Sequence, residues 1–538
     1  MRASEHRDRH FLGIHAGDAE PLEDRDVYGT FRQLVWRGEL EYLFKQLSTA
    51  KAAFLDALPC ADLPRRPGLN PVSWTVGHVA FTFDSLVADT LCLDKPGGFA
   101  NGVSRVDAWK LYDSMRIGGD ERWKMHERGM LPDVHEYLDA VHQQAETVLR
   151  ECVNPDGRCP PVQSYLILYA IIHELWHTED CVHTRNANQL PPPPSMLVLP
   201  ASLATGEKRS PMTQLRPPTT DVTIPGGTFY LGAIQPKADR STSPGGERAP
   251  PAKLVFDCEK WEHPVKLNQF RISQCCVTNA EFAVFVNAGG YEKFEYWSHE
   301  GARWLRSAGA QCPWLWRRDE DGSWLIRWFD KEVPLPPYQP VSHVHFWEAE
   351  AYCAWAHRRL PTEAEWEAAC CGAPWPDGSL APHKARSFPW GDEPPSDATA
   401  NCGLRRASLL DVDDLPAGDS CWGVRQMIGN VWEWTATTFY PFPGYVMDFP
   451  YREQSAPWFG FTKVARGGCF ATPDLILRGD YRSFYHPNER PELAVGFRTC
   501  GEYPILAAIR TGSALAQYVH VNLIWKMDHL ILSFAAVD

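Results

Sequence analysis

The stretch QSYLILYAIIHELWHTED, residues 163–180, decides how the first half of this chain is read. It is apolar and free of glycine and proline, so it reads as a helix. Inside it His173 and His177 stand four residues apart, on one face and one turn from each other, where two imidazoles can share a metal ion. A third histidine in a helical context, His78, lies in NPVSWTVGHVAFTFD (70–84). Three neutral imidazoles with open coordination positions suit zinc or a redox iron, and the spacing leaves both open.

The surrounding sequence extends the helical reading. VYGTFRQLVWRGELEYLFKQLSTAKAAFLDAL (27–58) and PDVHEYLDAVHQQAETVLRECV (132–153) carry apolar residues at helical intervals. Asn70–Pro71 looks like an N-cap followed by proline at the first helical position. Four helices, two of them bearing the histidines, predict a bundle over residues 27–190 with a metal between facing helices. QLPPPPSMLVLP (189–200) ends it, because four prolines cannot continue a helix. Residues 191–220 read as a Pro-rich linker. Short β-rich runs, turn glycines and tryptophans then fill 221–504. Residues 1–26 lack an apolar stretch and are expected to be a mobile tail. The segment 505–538 is an apolar extension to which the sequence assigns no role.

Composition narrows the function classes. The chain has 538 residues, too many for one ordinary core, so two or three domains are expected. A net charge of −14 argues against a nucleic-acid surface and against attraction to an anionic membrane. No stretch qualifies as a transmembrane span. The 16 cysteines are spread thinly and several sit in apolar segments, which suggests reduced thiols and a cytoplasmic protein. The 22 tryptophans, most of them after position 296, and the 45 prolines predict a loop-rich second half packed around aromatic rings.

HELWH also fits the zinc-peptidase pattern H-E-x-x-H, with Glu174 as the base and His183 at the position of a third ligand. The glycine that would turn the chain toward that ligand is Asp180 here. On an unbroken helix His183 sits about 80° off the face of His173 at ~100° per residue, so the peptidase reading fails.

The second half resembles a formylglycine-generating-enzyme (sulfatase-modifying factor) domain, a C-type-lectin-like fold. The residues that carry the resemblance are IPGGTFYLG (224–232), VTNAEFAVFVNAGGY (277–291), PVSHVHFWEAEAYCAWAHRRLPTEAEWEAA (340–369), FPWGD (388–392), GNVWEWT (429–435), RGGCFAT (466–472) and GFRTC (496–500). Each also has a structural duty: LPTEAEWE starts a capped helix and GNVWEWT buries tryptophans. Formylglycine generators use a cysteine pair after the RGG motif. The matching positions are Thr472 and Leu477, so that chemistry is not expected.

The first half resembles a DinB-like four-helix bundle, and the fused arrangement is similar to the non-haem iron sulfoxide synthases of ergothioneine and ovothiol biosynthesis. Their H-x-x-x-H-x-E motif matches His173, His177 and Glu179, and their upstream histidine matches His78. The resemblance implies iron(II) on the three histidines, with Glu179 outside the ligand set, orienting an imidazole. LYDSMRIGGDERW (111–123), PYREQSAPWFG (450–460) and YRSFYHPNERPELAVGFRTC (481–500) resemble a side branch of these enzymes, that of selenoneine synthase.

What the resemblance implies is oxidative joining of a thiol or selenol donor to the imidazole of hercynine, with dioxygen as oxidant and neither nucleic acid nor membrane as partner. Tyr451 matches a tyrosine that donates a proton, and Gln454 replaces the second tyrosine of that block. Trp176 replaces a glutamine found between the metal histidines. Tyr485 and Glu489 stand where an Asp and an Arg grip the glutamyl end of γ-glutamylcysteine. Ser483 and Phe484 complete that stretch of substrate contacts, and Arg482 and Arg498 are candidate carboxylate anchors or, equally, structural side chains. Two other readings remain: a non-catalytic lectin-like binding module on a metal-stabilised bundle, and a DinB-type thiol transferase.

Overall fold

The computed structural model describes residues 40–89 apart from 61 and 67, 105–151 apart from 132 and 133, 161–197, 220–235, and 254–502 apart from 385, 449–453 and 489–491. The expected tail at 1–26, most of the 191–220 linker, the extension at 505–538, Tyr451 and Glu489 lie outside the described residues.

The first half is helical. Its long elements are α1 (Leu40–Ala57), α2 (Val72–Phe83, continued by a π-helical turn Asp84–Asp89), α5 (His135–Glu151) and α6 (Pro161–Ala187). α1 packs on α6, and α2 packs on both α5 and α6. Two shorter helices, α3 (Arg105–Tyr112) and α4 (Gly119–Glu127), were not foreseen and brace α2 from outside. The start of α2 corrects the capping expectation. Pro71 is itself the cap residue, at φ −59° and ψ 138°, and no side chain caps the helix. Asn70 is occupied elsewhere, since its Oδ1 accepts from Arg122 Nη1 at 2.9 Å.

The second half is short strands joined by long loops. β1 (Asp221–Ile224), β4 (Phe270–Ser273), β13 (Cys500–Gly501) and β8 (Arg358–Arg359) form one antiparallel sheet in the order β1-β4-β13-β8. A second sheet, β11-β10-β9-β12, is made by Ser483–Tyr485, Lys463–Arg466, Trp432–Thr438 and Val495–Gly496, with β12 parallel to β9. Two smaller sheets are β2 (Gly227–Leu231) with β3 (His263–Leu267), and β5 (Trp316–Arg318), β6 (Trp324–Trp328) and β7 (Lys331–Pro334). Among the described residues four α-helices flank them: α7 (Asn279–Asn287), α8 (His299–Ala308), α9 (Phe346–Trp355) and α10 (Glu363–Cys371).

Strands this short cannot hold the domain by ladder hydrogen bonds alone. Buried ion pairs supply a polar skeleton instead. Arg498 forks onto Glu433 at 2.6 and 2.7 Å, and Trp366 Nε1 donates to the same carboxylate at 2.9 Å. Arg466 pairs with Glu363 and Glu367, and Arg478 with Glu259. Removing one partner of such a pair leaves an uncompensated buried charge, at a cost of about 3–5 kcal/mol. The expected helix start LPTEAEWE is present as a capping box: Thr362 accepts from Glu365 N while Glu365 accepts from Thr362 N. Trp432 and Trp434 of GNVWEWT are buried, as expected.

One apolar cluster runs through both halves, from Leu43 and Phe54 of α1 to Trp432, Tyr481 and Phe497. Among the described residues no helix is long and apolar enough to cross a membrane.

Candidate metal centre at the seam of the two halves

His78 of α2 and His173 and His177 of α6 converge, as their spacing predicts. Their ring centroids lie 4.9, 5.1 and 4.7 Å apart pairwise, and their candidate ligand atoms lie within 4.8 Å of one another. Nitrogens bound about 2 Å from a common ion stand ~3–3.5 Å apart, so small side-chain rotations bring the three onto one metal.

His78 is the best fixed of the three. Its Nδ1 meets the carbonyl of Tyr112 at 2.8 Å, which leaves Nε2 for a metal. Its ring stacks on Trp74 at 4.8 Å and 10°, and the Arg122 guanidinium of α4 lies 3.8 Å from the centre of that indole system. Gly77 permits this packing, because a Cβ there would sit 2.2 Å from the Tyr112 ring. Burial, followed by the neighbouring imidazoles, pushes His78 and His173 well below the usual histidine range, so both stay neutral and able to ligate. His177 Nδ1 lies 3.2 Å from Asp180 Oδ2.

The peptidase alternative meets a further obstacle here. Glu174 bonds His142 Nε2 of α5 at 2.9 Å in a fully buried site, and His183 faces another partner.

The face of α6 beside the histidines docks on the second half through a stripe at successive intervals of four, seven and ten residues. Tyr165 donates to Asp448 at 3.1 Å, and Tyr169 to Gln454 at 3.3 Å. Trp176 Nε1 donates to the Tyr481 hydroxyl at 2.9 Å. Asn186 Oδ1 accepts from Phe329 N at 2.7 Å. Around Trp176 the rings of Tyr169, Phe256 and Tyr481 build an aromatic wall. The His173 ring is 6.2 Å from Trp176, and Phe256 is 5.2 Å from Trp176 and 6.1 Å from Tyr481. Tyr481, Phe256 and Tyr169 were not singled out from the sequence, although Tyr481 opens a quoted block.

Three expectations need correction. Glu179 does not contact any of the three ligand imidazoles. It points the other way, accepting from Trp432 Nε1 at 2.7 Å and from Cys469 Sγ at 3.2 Å, with His183 as its neighbouring imidazole. The reason is helical phase: two residues past His177 is ~200° around the axis. Arg482 and Arg498 are not free to anchor a substrate carboxylate. Arg482 holds Glu363 at 2.7 and 3.0 Å and the carbonyls of Cys258 and Tyr440, while Arg498 holds Glu433.

The rest of the β11 stretch divides by strand alternation. Phe484 stacks on Phe439 at 4.0 Å. Tyr485, pointing to the other face, stands 6.1 Å from both Trp432 and Trp434, adjoining the Tyr481–Trp432 pair. Ser483 pairs with Ala465 in the ladder.

Comparison with known proteins identifies the second domain and the family. A family model for the sulfatase-modifying factor enzyme 1-like domain matches residues 207–502, more than half of the chain. A hercynine oxygenase of Mycolicibacterium smegmatis is 33% identical over 441 residues, which cover 80% of this chain and 91% of that protein. One from Mycobacterium tuberculosis is 40% identical over 236 residues, covering 44% of this chain and 53% of the relative. The formylglycine-generating enzyme of Streptomyces coelicolor is 29% identical over 353 residues, covering 59% of this chain and 99% of its own. The chain therefore belongs to the family of the hercynine oxygenases, and in this oxidoreductase a helical region precedes a sulfatase-modifying factor domain.

Proposed function

We propose that this chain joins a sulfur or selenium atom to the imidazole carbon of hercynine, with iron(II) held by His78, His173 and His177 and dioxygen as the oxidant. The observation that carries the reading is the convergence of three imidazoles, two of them held neutral by burial, next to an aromatic wall to which both halves contribute. It is supported by the similarity to a hercynine oxygenase along most of the chain.

The electron balance needs no further cofactor. A chalcogenol, the imidazole C–H and dioxygen give the joined oxide and one water. Bond formation removes two electrons from the substrates, oxidation of the chalcogen removes two more, and dioxygen accepts all four. Iron so bound supplies the coordination positions and the redox change that let these partners react.

The protein's own part is positioning, proton transfer and exclusion of water. Hercynine carries a trimethylammonium group, and the faces of Trp176, Tyr169 and Phe256 suit a cation without hydrogen-bond donors. Trp176 is locked by its hydrogen bond to Tyr481, so that face is preorganised. Burial, then the charge of Glu259, raises the Tyr481 phenol well above its usual range, so it remains a protonated donor. Tyr451 is the proton donor to the oxidising centre, on the strength of its motif match. The helical half is a DinB-like bundle spanning residues 27–190, and the second domain spans 221–504. Tyr485 and Glu489 shape the donor pocket against a dianionic glutamyl arm and in favour of a selenosugar or a small thiol.

Oxygen consumption by the full-length, iron-loaded protein tests this directly. Fast uptake is expected only when hercynine and a thiol or selenol are both present. Uptake that ignores hercynine, or none with any donor, contradicts it.

A further inference from the structure

α6 carries a second pair of metal-type residues at the i, i+4 spacing. Glu179 and His183 lie on the helix face roughly 120–160° away from His177, at ~100° per residue. They meet Cys469, which follows the RGG turn after β10 in the other half. That turn delivers the cysteine to the helix. Gly467 and Gly468 adopt φ +93° and +79°, and a Cβ on Gly467 would sit 2.6 Å from the Met427 carbonyl oxygen.

We infer that Glu179, His183 and Cys469 form a second, buried site for a zinc-class divalent cation, clasping the helical half to the sulfatase-modifying-factor domain.

Geometry is the first support. Cys469 Sγ is 3.2 Å from Glu179 Oε1 and 3.7 Å from His183 Nε2, and His183 Nε2 is 3.6 Å from the same Glu179 oxygen. Tetrahedral bonds of ~2.3 Å to sulfur and ~2.0–2.2 Å to nitrogen and oxygen place such donors about 3.4–3.6 Å apart. The three atoms already surround a position of the right size.

Charge is the second. All three residues are buried, at 5% exposure or less. Among the described residues no Lys or Arg lies in ion-pair reach of Glu179, whose contacts are the Trp432 indole, the Cys469 thiol and His183. A buried carboxylate without a cation is expensive. A dication bound by one thiolate, one carboxylate and one neutral imidazole makes the cluster neutral.

Ligand chemistry sets the class. Thiolate and imidazole together select zinc over magnesium or calcium, which prefer all-oxygen sites. The outer contacts fit as well. Trp432 Nε1 would orient the ligating carboxylate, and Thr472 Oγ1, 3.5 Å from Cys469 Sγ, would donate to the thiolate. His183 also lines a small cavity with Asn70, Thr75, Asp180, Thr184 and Glu492. Three protein ligands leave one coordination position open.

The test uses the full-length protein, stripped of metal and titrated with zinc or with cobalt(II). His177→Ala removes the three-histidine centre. That variant is expected to keep one tight equivalent per chain and to show a thiolate-to-cobalt charge-transfer band. Adding Cys469→Ser should abolish the band and the equivalent. Absence of the band in both the unmodified chain and the His177→Ala variant, or its survival in Cys469→Ser, overturns the proposal. His183→Ala, which keeps Cys469 but removes a ligand, should also weaken the band, and an undiminished band there overturns the proposal even if the serine variant fails to fold. These readouts do not depend on turnover, so failure of the proposed reaction and failure of this site are separately visible.

Discussion

The indole nitrogen of Trp176 and the phenol oxygen of Tyr481 are joined at 2.9 Å, 305 residues apart in sequence, and this bond ties the metal-bearing helix to the second half. All three candidate iron ligands come from the helical half, while the wall beside them is shared. Tyr481→Phe should therefore retain full iron binding and lose about 1 kcal/mol of stability with the hydrogen bond. It should also raise KM for hercynine by several-fold, because Trp176 is no longer held. Iron analysis, thermal melting and steady-state kinetics check the three parts. Unchanged KM would remove the wall from the substrate site.

His177→Ala should abolish iron binding and oxygen uptake while the second half stays folded. It is a cleaner probe than His78→Ala, which also strands the Tyr112 carbonyl that His78 Nδ1 meets at 2.8 Å. A buried carbonyl without a donor costs roughly 1–3 kcal/mol, so the His78 variant should show lower stability as well as metal loss. Iron content and melting curves separate the two variants.

Much of this site was legible because it is local. The i, i+4 spacing placed His173 and His177 on one face, and the length and composition of the run around them made the helix secure. Helical phase also excluded His183 as a third ligand. What spacing could not say is what the other faces of α6 meet. Glu179 was assigned to the iron histidines, yet its partners Trp432 and Cys469 lie 253 and 290 residues away. Whether Arg482 and Arg498 anchor a substrate or serve the fold is open in the sequence for the same reason. Their carboxylates, Glu363 and Glu433, are 119 and 65 residues distant in the chain. A loop-rich domain closes through long-range ion pairs, and no local pattern announces which arginine is already engaged. The braces α3 and α4 were missed because their short sequences lack a sustained apolar period.

Tyr451→Phe should keep iron and hercynine binding yet slow turnover, or redirect it toward oxidation of the thiol without attachment to imidazole. Product ratios by mass read this. An unchanged rate and product pattern would deny Tyr451 the role of proton donor.

Donor choice follows from Tyr485 and Glu489. On the proposed role of Glu489 as a negative charge facing the donor, a selenosugar or free cysteine should outperform γ-glutamylcysteine when donors compete at equal concentration. Preference for γ-glutamylcysteine by about tenfold or more, some 1.4 kcal/mol, would contradict this.

The most direct measurement is a single turnover. Anaerobic, iron-loaded protein is mixed with hercynine and a thiol or selenol, then exposed to isotopically labelled dioxygen, and the products are read by mass. The account predicts one product in which the imidazole carbon bears the chalcogen and a single labelled oxygen. Unaltered hercynine beside an oxidised donor, or a product without labelled oxygen, would contradict it.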